Sequence, residues 1–161
     1  MAQFVPQWRL RRCPSAPRES SPHTMEVRRQ SRLATFNGRD LNALTAGAES
    51  GNRDYYSDGR AVVSPKGARF AMQVMPATAR DPGFGLRAAN PNDPGDMNRL
   101  GQQYRAVMQS RYGGDLAKMW AAYNAGPGAV DKAIARYGPR WLDAMPAETK
   151  KYVSGLMARV K

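Results

Sequence analysis

Glu49 is the residue in this sequence whose placement most suggests chemistry. It stands in Ala48-Glu49-Ser50-Gly51, which reads as the last turn of a short apolar helix closed by glycine. A helix C-terminus carries partial negative charge, which disfavours a carboxylate and favours the neutral acid. A carboxyl kept protonated near neutral pH is what a general acid needs. The competing reading is a solvated surface glutamate, and the rest of the chain must decide between the two. Other chemistries have few candidates. Cys13 is the only cysteine, which excludes an internal disulfide and a cysteine-built zinc site. His23 is the only histidine and lies in a stretch without periodicity, so a histidine-rich metal site is excluded and a Ser-His-Asp triad is not expected. Reactive groups must come from carboxylates, hydroxyls and amides. Asp54 and Asp58 are the candidates for a second carboxylate, although Asp58-Gly59 reads first as a turn.

The elements that would position these groups are mostly helical. Asp40 is read as an N-cap, with Leu41, Leu44 and Ala48 at helical spacing and Gly51 as the stop. Asp58-Gly59 between β-prone flanks predicts a tight hairpin. Residues 68–75 are apolar and are expected to form a short helix after the Ser64-Pro65-Lys66-Gly67 turn, with a further helical turn from Pro76. Residues 81–95 form a long Gly-, Pro- and Asn-rich loop of the kind that builds rims and lids. Asp93-Pro94 opens a helix with Met97, Leu100, Tyr104, Val107 and Met108 on one face. Asp115 caps the next, with Leu116, Met119, Trp120 and Tyr123 inward. Another short helix follows Gly126-Pro127-Gly128, then a core plug of Trp141, Leu142 and Met145, then a last helix from Pro146 with Tyr152, Val153, Leu156 and Val160 inward. The expected class is mainly α with one small β-hairpin, a compact and irregular helical domain.

The domain is read as residues 39–161. Residues 1–38 mix Pro, Ser and Arg without periodicity and read as a basic, disordered or weakly ordered arm. Met25 leaves a second reading open, a leader upstream of an internal start. The formal net charge is +12, and the arm holds seven of the 25 basic residues against two of the 13 acidic ones. Both parts are basic, which suits an acidic polymer, an anionic lipid or, through the arm, nucleic acid; a basic surface with no charged target is the alternative. No apolar run reaches membrane-span length, and the N-terminus lacks the apolar stretch of a secretory signal.

Four stretches together resemble a known family. They are Ala48-Glu49-Ser50-Gly51, Ser64-Pro65-Lys66-Gly67-Ala68 running into Ala71-Met72-Gln73-Val74-Met75-Pro76-Ala77-Thr78-Ala79, Ala121-Ala122-Tyr123-Asn124-Ala125-Gly126-Pro127-Gly128, and Glu148-Thr149 with Tyr152-Val153. Their order and spacing resemble the catalytic domain of soluble lytic transglycosylases, related to goose-type lysozyme. The resemblance covers about residues 40–160 and implies a lysozyme-like α+β fold. Asp81-Pro82-Gly83-Phe84-Gly85 and Tyr112-Gly113-Gly114-Asp115 are similar to phage-encoded members, some of them virion proteins that breach the wall.

The resemblance implies cleavage of the β-1,4 bond between N-acetylmuramic acid and N-acetylglucosamine in peptidoglycan, with Glu49 as acid and then base and no metal or cofactor. Muramidase hydrolysis of the same bond and a non-catalytic basic binding module stand as alternatives. Substrate contacts are implied for Ser64, Gln73, Met75, Tyr123, Asn124, the Ala125 backbone, Glu148 and Tyr152. Ser64 reads equally as a turn cap, Tyr123 as a core aromatic, and Glu148 as a first-turn helix charge. Where the family usually has a glycine, this chain has Phe70, which is expected to narrow the cleft. Action on periplasmic wall without a secretory signal implies delivery from a virion or release at lysis, beside other virion or lysis proteins.

Overall fold

The computed structural model describes residues 37–160. The expected arm, with Cys13 and His23, lies outside the described residues apart from its last two positions. Six α-helices and one 3-10 segment are found among the described residues. They are α1 (Gly38–Ser50), α2 (Pro76–Arg80), α3 (Pro94–Arg111), α4 (Leu116–Ala125), α5 (Pro127–Tyr137), the 3-10 segment Gly138–Ala144, and α6 (Ala147–Arg159).

The middle helix of the stack is α4, packed against α3, α5 and α6. Its sequence explains this. Leu116, Met119, Trp120, Ala121 and Ala122 are all buried, so the helix is apolar on more than one face and small enough at its alanines for neighbours to close in. Leu41, Met108, Val130, Trp141, Met145, Val153 and Leu156 complete this main core. Trp120 Nε1 donates to Thr45 Oγ1 at 3.1 Å, and Thr45 in turn donates to Leu41 O at 2.8 Å, so the buried indole ties α4 to α1 with its polar atom satisfied.

The start of α1 differs from expectation. Its N-cap is Asn37, whose Oδ1 accepts from Arg39 N at 2.9 Å and Asp40 N at 3.0 Å. Asp40 lies three residues inside and accepts from Asn37 N at 3.3 Å, completing a capping box. Asp40 has the chemistry of a cap but works one turn later. The far end is closed as expected by Gly51 at φ +68°, with Gly51 N and Asn52 N returning to Gly47 O and Ala46 O.

Residues 68–75 are not helical. Ala68, Phe70, Met72 and Val74 are buried at every second position, the period of extended chain. Arg69 is bridged to both Val63 and Val74, folding the segment back on itself. Phe70 and Gln73 take left-handed conformations at φ +62° and +46°, which no α-helix accommodates. The polar residues Arg69 and Gln73 mark the other face, but Ala71 blurs the alternation in the sequence. The predicted hairpin survives as a turn at Asp58-Gly59 and a single Tyr55–Ala61 bridge; no strand ladder forms among the described residues.

Phe70 does not narrow the cleft. Its side chain is buried in a second core with Ala46, Met72, Val74, Ala79, Ala89, Met97 and Leu100, edge-on to Tyr55 with ring centroids 5.9 Å apart. The backbone there is left-handed, as a glycine would allow. Strain of about 1–2 kcal/mol for a non-glycine is offset by about 1.5–3 kcal/mol from burying the ring. A close approach does occur at Gly101 on α3, where a Cβ would lie 2.5 Å from Met72 Cβ and 3.0 Å from Tyr123 Oη.

Candidate active site

Glu49 stands in the last turn of α1, where no basic residue balances the helix end. The next residue, Ser50, fixes that turn. Its hydroxyl lies 2.9 Å from Ala71 O and 3.2 Å from Ala46 O as donor, and accepts from Arg53 N at 3.1 Å. The folded-back 69–74 segment is held from the other side by Asp54. Its Oδ1 accepts from Ala71 N and from Asn98 Nδ2, both at 2.8 Å, while Asn98 Oδ1 accepts from Met72 N at 3.2 Å. Asp54 is therefore a backbone clamp. Asp58 is paired with Arg60 at 2.7 Å in its exposed turn. Neither aspartate lines the cleft, so neither is a second carboxylate for it.

The cleft has a volume of about 530 Å³, a usual size for a ligand site. The carboxylates on its walls are Glu49 and Glu148. Burial pushes the Glu49 carboxyl above the ordinary glutamate range; the Tyr152 hydroxyl works against that shift and the Glu148 charge adds to it. Tyr152 itself does not line the cleft. Its hydroxyl is buried beside Glu49 and has no partner of full hydrogen-bond geometry. Burial and the adjoining Glu49 carboxyl both hold the phenol neutral at any working pH.

The other expected residues divide between lining and support. Ser64 lines the cleft and also caps its own turn, its Oγ accepting from Ala68 N at 3.0 Å. Gln73 lines it with Nε2 donating to Phe70 O at 2.8 Å; no bond among the described residues uses Oε1. Met75 lines it and is 39% exposed. Tyr123 lines it while its hydroxyl donates to Met72 O at 2.8 Å, leaving the oxygen able to accept. Asn124 lines it with Oδ1 accepting from buried Thr149 Oγ1 at 2.8 Å, which leaves the amide hydrogens for a ligand. Glu148 is exposed in the first turn of α6 and faces Lys66 at 3.6 Å. Ala125 packs against the main core; Gly126 takes the lining position instead.

Lys66, Thr78 and Tyr104 also line the cleft, and sequence reasoning did not single them out. Tyr104 shares a helix face with Leu100 and Met108, so its spacing alone marks it as a core residue. Thr149 was read only as part of a motif, and its role as the orienting group for Asn124 depends on α6 meeting α4.

One half-buried acid, a ring of amides and hydroxyls, and an open groove suit protonation of a leaving oxygen within a polymer that carries N-acyl groups. Residues 48–141 match the family profile described as the transglycosylase SLT domain. This chain belongs to that family. The SLT match starts one residue before Glu49 and ends at the core residue Trp141. The soluble lytic murein transglycosylases of Escherichia coli K12 and O157:H7 are each 31% identical over 113 residues, covering 60% of this chain and 17% of theirs. The chain thus spans about a sixth of the length of the curated relatives it matches. Among solved structures, the 70 kDa soluble lytic transglycosylase of Escherichia coli superimposes with a TM-score of 0.61 at 25% identity, over 81% of this chain and 23% of that one. An inactive Glu-to-Gln mutant of lytic transglycosylase Slt from Pseudomonas aeruginosa gives 0.59 at 23% identity, over 87% and 23%. The SLT fold is the mainly helical, lysozyme-like one that the four sequence stretches implied.

Proposed function

We propose that this SLT domain is a peptidoglycan lytic transglycosylase acting on the bond between N-acetylmuramic acid and N-acetylglucosamine. The observation that carries the reading is the placement of Glu49, a half-buried carboxyl in the cleft wall beside the Tyr152 hydroxyl, where burial favours the neutral acid. Glu49 protonates the glycosidic oxygen as its bond to the muramic C1 breaks. The substrate's own 2-acetamido group stabilises the positive charge that develops at C1, which removes the need for the second catalytic carboxylate of most glycosidases. The muramic C6 hydroxyl then closes on C1 and gives its proton to Glu49. The acid is regenerated, no water is consumed, and the product ends in a 1,6-anhydro ring. Ser64, Gln73, Met75, Tyr123 and Asn124 hold the glycan, Tyr152 steadies Glu49 from behind, and burial, with a smaller push from the Glu148 charge, keeps the Glu49 pKa raised.

Mass analysis of fragments released from purified peptidoglycan tests this. Anhydro ends are one water lighter than reducing ends, and reducing ends alone would mean a muramidase. Glu49→Gln is expected to abolish release; unchanged release would sink the assignment.

We further read the protein as a phage or prophage wall enzyme working in the periplasm. The stretches Asp81-Pro82-Gly83-Phe84-Gly85 and Tyr112-Gly113-Gly114-Asp115 support that setting. Its presence in purified particles would favour virion delivery, and its presence only in late lysates would favour release at lysis.

A further inference from the structure

We propose that Phe84 is a saccharide-stacking platform that extends the cleft beyond Tyr104; this rests on the transglycosylase reading above. Gly83, Phe84 and Gly85 occupy three consecutive left-handed positions, at φ +66°, +54° and +69°. A phenylalanine is a poor choice for the middle one, since glycine or asparagine would take that conformation with less strain. Core packing does not explain the choice either, because the ring is 48% exposed. Strained backbone conformations of non-glycine residues cluster at ligand-binding sites.

The ring lies outside the cleft lining but continues its aromatic side. Phe84 meets Tyr104 edge-to-face at 5.9 Å between centroids, and Tyr104 meets Tyr123 in the same way at 6.0 Å. Tyr104 and Tyr123 both line the cleft, so the three rings form one aromatic wall leading from the Glu49 region to the loop. That loop is anchored. Leu86 N returns to Gly83 O at 3.0 Å around Phe84, and Ala89 N reaches Ala79 O at 2.8 Å. Arg99 Nη2 donates to Arg87 O and Ala88 O at 3.3 and 3.1 Å. A half-exposed aromatic face on a fixed support fits the apolar C–H face of a pyranose ring. Phe84 would therefore contribute to long strands that reach it and little to short ones.

The test uses the full chain with Glu49→Gln, so that bound sugar is not cleaved. Binding is titrated with peptide-free peptidoglycan strands of two lengths, four sugars and eight. Adding Phe84→Asn is expected to lower affinity for the longer strand by about threefold to tenfold, with a smaller effect on the shorter one. Phe84→Trp is expected to restore it. The thermal midpoint should not fall with Phe84→Asn, because asparagine tolerates the left-handed backbone. An equal loss at both lengths, no loss at all, or a failure of Phe84→Trp to restore binding would overturn the platform. If the Glu49→Gln parent binds neither strand, the transglycosylase reading itself fails, and the platform with it.

Discussion

Glu49, Glu148 and Tyr152 form a small electrostatic system whose members pull in opposite directions. Burial and the Glu148 charge raise the Glu49 pKa, and the Tyr152 hydroxyl lowers it. A general acid is active only while protonated, so activity is lost as pH rises through its pKa. Glu148→Gln removes a like charge and is expected to move the alkaline limb of the pH–rate profile to lower pH. Tyr152→Phe removes a donor to the carboxylate and is expected to move the same limb to higher pH. Shifts of the same sign in both variants would rule out this arrangement. The raised pKa also bears on stability. A carboxyl whose folded pKa lies above its unfolded value favours folding when protonated, and that contribution is lost as pH rises through the folded pKa. Glu49→Gln is therefore expected to raise the melting temperature at neutral pH, with the gain vanishing in acid below the ordinary glutamate value near 4.5. Catalytic groups held in unfavourable surroundings commonly carry this trade between stability and activity.

At the level of elements, the site depends on one irregular segment being clamped between two helices. Residues 69–74 are held to α1 by Ser50 and to α3 by Asn98 and Gly101. Removing the Ser50 hydroxyl strands Ala71 O and Arg53 N, and a buried polar group without its partner costs about 1–3 kcal/mol. Ser50→Ala is expected to lose stability of that order in denaturant titration, together with activity, although Ser50 does not line the cleft. Gly101→Ala forces a methyl into Met72 Cβ and Tyr123 Oη. Overpacking of this kind costs about 1–3 kcal/mol, and here it displaces the Tyr123–Met72 hydrogen bond that sets one wall of the cleft. A fully active, fully stable Gly101→Ala variant would show that this contact is dispensable.

For the whole molecule, charge divides unevenly along the chain. The sequence carries a net charge of +12, and seven of its arginines precede residue 37. Among the described residues no helix is long and apolar enough to cross a membrane. We propose that residues 39–161 carry wall cleavage and that the preceding arm acts only through its charge. A chain lacking residues 1–36 is expected to keep Glu49-dependent cleavage and its melting temperature, while any salt-sensitive binding to DNA disappears. Loss of cleavage in the shortened chain would place the arm within the catalytic unit.

Much of this was legible in the residue order because it depends on local physics. Gly51 ends a helix, Asp93-Pro94 and Asp115 begin others, and Trp120 with Met119 and Leu116 declares a buried face; each is settled within a few residues of chain. Glu49 was visible as an acid at the wrong end of a helix. The places where the reading failed depend on distant partners. The 68–75 segment looks helical by composition, and only its burial between α1 and α3 makes left-handed turns at Phe70 and Gln73 worth their strain. Phe70 seemed to threaten the cleft because no local rule says which side of the chain its ring takes. Asp54 looked like a possible reagent until Ala71 and Asn98, 17 and 44 residues away, claimed its oxygen. Residue type and spacing declared which groups could react. Which of them face the cleft, and which only hold it in shape, followed from long-range packing and hydrogen bonding that sequence spacing does not encode.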